Sequence, residues 1–328
     1  MKMKLKSVSI KLAMIFAGLA AGAFNQASAC TWFDFRNDQG NWFIGRTMEW
    51  PGDLQGQITI VPRNYTLGSF KTKYGFVGIS HNGGFSDGLN ECGLALSGLW
   101  LAESKYPEKK EGARPITEMI YVLGNTKTVD EAVAFIKTNV FYSSAVPALP
   151  GLIPSLHFAI TDASGRSVVV EFIDGKAQIH ENKVGAMTND PRYEEQLKNW
   201  ADNYAGKTFD EGTFEAFDYS PKGRFCRMAA MNATQAKVPT DMAAVNRAWS
   251  MIDTVDIPQG ILYWKWASEN PQFTSYAVVD DLKNRIYYFR TYDNYDIRKI
   301  DLNKIDFATA KYQSASLFGG ANYKEFQF

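Results

Sequence analysis

The order of its periodic segments is what most narrows the folds open to this chain. "CTWFDF" and "NWFIGRTMEW" read as two strands of a hairpin around the turn-rich "RNDQG". "GQITIVPRN" alternates as a third strand, and "GFVGISHNGGFSDGLNECGLALSGLWL" mixes strand-like pieces with glycine-rich turns. Apolar residues at three-to-four spacing make "RPITEMIYVLGN" and "TVDEAVAFIKTN" helical, with Thr128 and Glu131 as a capping box on the second. Strands return in "LHFAITDASGRSVVVEFIDGKAQIHEN", turned at Ser164-Gly165 and Asp174-Gly175. Helices are expected at about 192–204, 221–235 and 240–252, the second opened by Ser220 as N-cap and Pro221 in the first turn. "FTSYAVVDDLKNRIYYFRTYDN" closes the chain as β structure. Strands, helices, strands, helices, strands describe an α+β chain: two antiparallel sheets sandwiched by helices, not a parallel α/β fold. With no repeat and no clean linker, a single domain over 30–328 is expected.

Residues 1–29 have the three parts of an export signal. Lys2, Lys4, Lys6 and Lys11 precede the apolar run "LAMIFAGLAAGAF", and "ASA" supplies the small residues read by a signal peptidase. The run is short of the about 20 residues of a bilayer span. Cleavage after Ala29 makes Cys30 the first residue of an exported protein, periplasmic or secreted. Lipidation of Cys30 is the alternative, although Ala27 stands where a lipoprotein signal usually has Leu.

Whole-chain charge is balanced, 35 basic against 35 acidic residues, so loss of four leader lysines leaves a slight acidic surplus. No basic excess or Lys/Arg-rich run points to nucleic acid. Cys30, Cys92 and Cys226 are too few for a disulfide framework, and the odd count leaves at least one thiol to explain. Cys92 and Cys226 read as small core hydrophobes, with a Cys92–Cys226 bridge left open. His81, His157 and His180 lack metal-ligand spacing, so no zinc site is expected. "GISHN" nearly matches a serine-nucleophile elbow, but Asn82 replaces its second glycine.

Cys30 differs from the other thiols by its place. After cleavage it carries both a thiol and an α-amine, and such amines titrate near 7.7–8.0. Near neutral pH the amine can take the thiol proton, directly or through one water, so one residue supplies nucleophile and base.

Behind that cysteine, "GRTMEW", "IVPRNY", "SDGLNECGLALSGL", "MTNDPRY", "SPKGRF" and "IYYFRTYDN" follow in order to about residue 305. In this series the chain resembles the choloylglycine hydrolase family of N-terminal nucleophile hydrolases, which includes penicillin V acylases and conjugated bile salt hydrolases. The resemblance implies a four-layer αββα fold and a linear-amide hydrolase that needs no cofactor. It also implies a small N-acyl amide substrate and homotetrameric assembly. Cys30 matches the nucleophile, and Arg46 an arginine beside it that favours thiolate. Glu49 stands where most relatives have the aspartate that orients the α-amine. Asn189 matches the side-chain oxyanion donor, and Arg224 a second active-site arginine.

Trp100 occupies a position where the Gram-positive bile salt hydrolases have asparagine; only its backbone N–H could serve an oxyanion there. With Trp32 and Met48 it is expected to line a hydrophobic acyl pocket. The stretch between the helix ending near 204 and Arg224 looks shorter than in those enzymes. These features favour an acylase of phenoxyacetyl penicillins or N-acyl homoserine lactones. A bile salt hydrolase of the same fold, or a non-catalytic lipidated envelope protein that binds amphiphiles, are the rivals.

Overall fold

The alternating runs of the sequence pair as two large, wholly antiparallel sheets. A computed structural model describes residues 30–325 and 327, except positions 53, 69, 82–83, 146–152, 209, 211–216 and 264–268. The expected leader, and much of the stretch thought to be shortened before Arg224, lie outside the described residues.

In the first sheet the spatial order is Ala186–Met187, β1 (Thr31–Arg36), β2 (Trp42–Pro51), Pro271–Asp281, Ile286–Thr291 and Asn294–Asp301. Leu262–Tyr263 also pairs with Pro271–Asp281. The second sheet runs Lys176–Glu181, Ser167–Ile173, Leu156–Asp162, Leu94–Trp100, Gly84–Asn90, Phe76–His81, Gln57–Val61 and Gln313–Ser316. Helices Pro221–Ala233 and Asp241–Asp253 cover the outer face of the first sheet, and Tyr193–Asn203 packs on Pro221–Ala233. Tyr121–Asn125 and Val129–Thr138 cover the second. The result is helix, sheet, sheet, helix, the layering that the block order and the resemblance both implied.

Local signals explain the boundaries. Ser220 accepts from the Gly223 N–H at 3.1 Å and Pro221 opens its helix. Thr128 accepts from the Glu131 N–H at 3.2 Å, while Glu131 reaches back to the Lys127 N–H rather than to that of Thr128 itself. "RPITEMIYVLGN" departs from the single helix expected. Arg114–Pro115 pairs with Phe141–Tyr142, followed by a 3₁₀ turn at Ile116–Glu118 and a short helix at Tyr121–Asn125. That broken course aims Ile116, Met119 and Ile120 into a cleft beside Cys30.

Candidate active site

Cys30 immediately precedes β1, and its register places it at the edge of the space between the sheets. Along β1 the faces alternate. Thr31 meets Arg224 of the covering helix, whereas Asp34 accepts from Thr161 of the second sheet at 3.2 Å. Cys30 therefore points between the sheets, where its Sγ lies 3.7 Å from Met48 Sδ. The hairpin closes tightly because Phe33 sits over Gly45; a Cβ at that glycine would lie 2.1 Å from the ring. Trp32, expected at the substrate, is instead wholly buried beneath its cross-strand neighbours Arg46 and Met187. It shares the inward face of Cys30, but the cleft opens at the strand end and Trp32 lies further in.

Arg46 projects from β2 into the same interior. Its guanidinium forms an ion pair with Asp87 of the second sheet, both side chains almost fully buried. It donates to Tyr276 Oη at 3.1 Å and to the Gly98 carbonyl at 3.3 Å. Asp87 also accepts from Tyr287 and Ser86. Tyr276 and Asp87 raise the Arg46 titration against the opposing effect of burial. Arg46 is thus a permanent cation beside the thiol, welded to the facing sheet.

Arg224 approaches from the other side. Pro221–Ala233 sets it against residues 30 and 31, where Nη1 donates to the Cys30 carbonyl at 2.6 Å and to Thr31 Oγ1 at 2.7 Å. Nε bonds the Tyr219 carbonyl at 3.0 Å, and Nη2 holds Asn189 Oδ1 at 3.1 Å. With that oxygen engaged, the Asn189 amide turns Nδ2 outward, 2.9 Å from the Trp100 carbonyl. Asn189, Arg224, Cys30 and Trp100 therefore form one connected group drawn from four elements.

The Asn189 turn has a second anchor that the residue pattern did not disclose. His157 Nε2 donates to the Thr188 carbonyl at 2.7 Å, and Nδ1 lies 3.1 Å from Glu171, which also takes the Tyr193 N–H at 2.8 Å. The histidines, set aside as metal ligands, include one that secures the loop bearing Asn189. Among the described residues no cluster suited to a metal occurs.

Glu49 depends on an irregularity. Thr274 pairs with Glu49 and Tyr276 with Met48, a register shift between them marking a β-bulge. The bulge sends two residues of near-adjacent sequence to opposite faces: Thr274 donates to Glu49 Oε1 at 2.6 Å, while Tyr276 reaches Arg46. Glu49 Oε2 is buried without a partner. Burial pushes the carboxyl up to about 7, against the pull of Arg224, Thr274 and Thr47.

The thiol itself is raised, first by burial and then by Glu49. Arg46, the Glu49 backbone N–H and Arg224 pull it down but do not offset the rise. The expectation that Arg46 favours thiolate holds in sign and fails in sum, because the sulfur is almost dry and the arginine already serves Asp87. Burial also lowers Arg224, to about 10.

From Cys30 an apolar cleft extends between Met48, Trp50, Leu54, Phe85, Trp100 and Phe158. Met48 and Trp100 line it as expected. Cys92 and Cys226 are free thiols: Cys92 lies beside the Asn90–Gly93 turn, and Cys226 on its helix lies 3.3 Å from Asn199, so the bridge left open is not formed. A buried thiol, two arginines, a carboxyl titrating near neutrality and an oriented amide converge at one end of an apolar cleft. That constellation is equipped for acyl transfer.

Comparisons agree with the chemistry. A family model described as linear amide C–N hydrolases, choloylglycine hydrolase family, matches residues 30–315. Penicillin V acylase of Pectobacterium atrosepticum is 30% identical over 353 residues, covering 97% of this chain and 92% of its own. A bile salt hydrolase/transferase of Lactiplantibacillus plantarum is 26% identical over 319 residues, covering 86% and 96%. Among solved structures, penicillin V acylase from Agrobacterium tumefaciens superposes with TM-score 0.73 at 29% identity, over 88% of this chain and 92% of that one. A variant of the conjugated bile acid hydrolase from Clostridium perfringens shares the fold at TM-score 0.80 and 24% identity, over 91% and 100%.

Proposed function

Because this chain belongs to the choloylglycine hydrolase family of linear amide C–N hydrolases, we propose that it is an exported acylase whose nucleophile is the N-terminal Cys30, freed by removal of residues 1–29. Its preferred substrates resemble those of penicillin V acylases: amides whose acyl part is hydrophobic, phenoxyacetyl penicillins and N-acyl homoserine lactones among them.

The observation that carries this reading is the position of Cys30: a buried thiol at the head of an apolar cleft, its own carbonyl clamped by Arg224. Processing completes the chemistry. A thiol raised by burial stays protonated until a base arrives, and the new α-amine is that base. The amine takes the thiol proton as sulfur bonds to the amide carbon. Charge on the carbonyl oxygen meets the Asn189 amide, whose second N–H remains available after the bond to Trp100. The C–N bond then breaks, the leaving amine takes the proton from the α-ammonium, and water hydrolyses the thioester with the amine again as base. Glu49, near Arg224 and bonded by Thr274, orients and balances the ammonium. Trp100 and the apolar walls receive the acyl group, which favours the acylase side over bile salts.

Mass spectrometry of the exported protein tests the first step, with Cys30 bare and N-terminal as the expected result. A lipid there would favour the amphiphile-binding envelope protein. Penicillin V, an N-acyl homoserine lactone and glycine-conjugated bile salts, assayed in parallel, rank the substrates. Correctly processed Cys30→Ala with undiminished turnover would overturn the nucleophile. Faster bile salt turnover would overturn only the preference.

A further inference from the structure

His157 and Glu171 stand on two mostly apolar strands of the second sheet, one step beyond the Phe158–Val170 pair. Both side chains are buried. Apolar residues of similar volume would serve packing there at least as well. The worth of the pair lies in what it holds, the backbone next to Asn189.

A carbonyl oxygen can only accept, so the 2.7 Å contact with Thr188 puts a hydrogen on His157 Nε2. Nδ1, 3.1 Å from Glu171 Oε1, keeps the ring from turning, and the Tyr193 N–H fixes that oxygen in its place at 2.8 Å. Thr188 directly follows Ala186–Met187 of the first sheet, so the bond from His157 crosses from sheet to sheet. The strand that carries His157 is in register with Leu94–Trp100, His157 opposite Leu99 and Leu156 opposite Trp100. Trp100 in turn accepts from Asn189 Nδ2. One strand pair therefore grips this segment twice, at the backbone before Asn189 and at its amide. Arg224 holds the same amide by its oxygen and Cys30 by its carbonyl. Gln196 gives a looser hold, one amide nitrogen at 3.1–3.4 Å from Thr188 Oγ1 and the Asn189 and Asp190 carbonyls.

We infer that His157 is a positioning residue for amide hydrolysis, its bond to Thr188 setting the distance between the Asn189 amide and Cys30. The inference rests on the proposed role of Asn189 as oxyanion donor. Such a donor works within about 2.7–3.1 Å of the developing charge. Misplacement by about 1 Å costs on the order of 100-fold in rate. Without His157 the turn keeps the bonds of Thr188 Oγ1 to the Pro221 carbonyl and to Gln196, so it survives while its depth drifts. Substrate binding relies on the apolar walls of the cleft, which His157 does not line. The effect therefore falls on kcat and not on KM.

The test uses processed protein and whichever of penicillin V, an N-acyl homoserine lactone and glycine-conjugated bile salts it hydrolyses best. His157→Leu should lose about 50-fold in kcat with KM within about threefold of the parent. His157→Gln carries an amide N–H the same number of bonds from Cα as Nε2, and should regain about tenfold of that loss. His157→Asn has a shorter amide that can meet Glu171 but not Thr188, and should regain none. A general defect of folding strikes both amide variants alike, so a rescue by Gln that Asn lacks reads the Thr188 bond itself. In Asn189→Ala, itself slowed about 100-fold, adding His157→Leu should cost less than about threefold more. Parental kcat in Asn189→Ala would sink the oxyanion role and this inference with it. Where Asn189→Ala is impaired, three results overturn the inference alone: parental kcat in His157→Leu, equal rates for the Gln and Asn variants, or costs that multiply in the double variant.

Discussion

Two buried arginines flank Cys30, and they are held in opposite ways. Arg46 meets a carboxylate directly, Asp87 of the facing sheet, and its titration is raised. Arg224 binds the neutral oxygens of Cys30, Thr31, Tyr219 and Asn189, feels Glu49 without a direct ion pair to it, and is lowered to about 10. The first joins the two sheets electrostatically and lends a standing positive field. The second spends its planar fork on geometry, holding the Cys30 carbonyl and the Asn189 side-chain oxygen. Equal charge and equal burial thus serve different ends: one guanidinium closes on a carboxylate of the facing sheet, the other holds the backbone and amide oxygens around Cys30.

The comparison breaks most visibly at Arg46. Arg46→Leu leaves the buried Asp87 carboxyl without its cation, at a cost of about 3–5 kcal/mol to folding measured by denaturant titration. Adding Asp87→Leu should return much of that stability, and no recovery in the double variant would mean the pair is not the seam described here. Arg224→Lys comes next. Charge is kept but the fork is lost, so folding should weaken by about 1–3 kcal/mol as some of its buried acceptors lose their donor, while kcat on the preferred amide falls about 100-fold. A lysine variant with near-parental kcat would reduce Arg224 to a simple cation.

Glu49 sharpens the contrast through pH. Folding lifts its titration from the ordinary range, about 4.3, to about 7. A carboxyl raised by folding stabilises the folded chain fully below the lower value, and that contribution is lost as pH rises through the higher one. Glu49→Gln should therefore match the parent near pH 4 and be more stable by about 3 kcal/mol near pH 8. A stability difference that does not vary between those pH values would show that Arg224 already neutralises the carboxylate.

Much of this arrangement was legible in residue order. The hairpin behind Cys30, the capping of Val129–Thr138 and Pro221–Ala233, and the two-sheet layering all follow from short-range periodicity and turn chemistry. So did the grouping of Cys30, Arg46, Glu49, Asn189 and Arg224, which rested on motifs in series. What escaped lies where faces are exchanged. The bulge between Thr274 and Tyr276 has no marker in "FTSYAVV", yet it alone separates the partner of Glu49 from that of Arg46. His157 and Glu171 sit on neighbouring strands, and only sheet pairing reveals that they tie down Thr188. Trp32 misled for the converse reason: nearness in sequence to Cys30 says nothing about where a cleft ends.

Residue order alone was enough for the sheets and the helices. Periodicity and caps act over a few residues, and the chain carries them openly. Tertiary structure decided the electrostatics, because the thiol's raised titration, the Arg46–Asp87 seam and the near-neutral Glu49 each depend on how much water is excluded and which charge is brought across from another strand. Desolvation is a property of the packed interior, and no short stretch of sequence contains it.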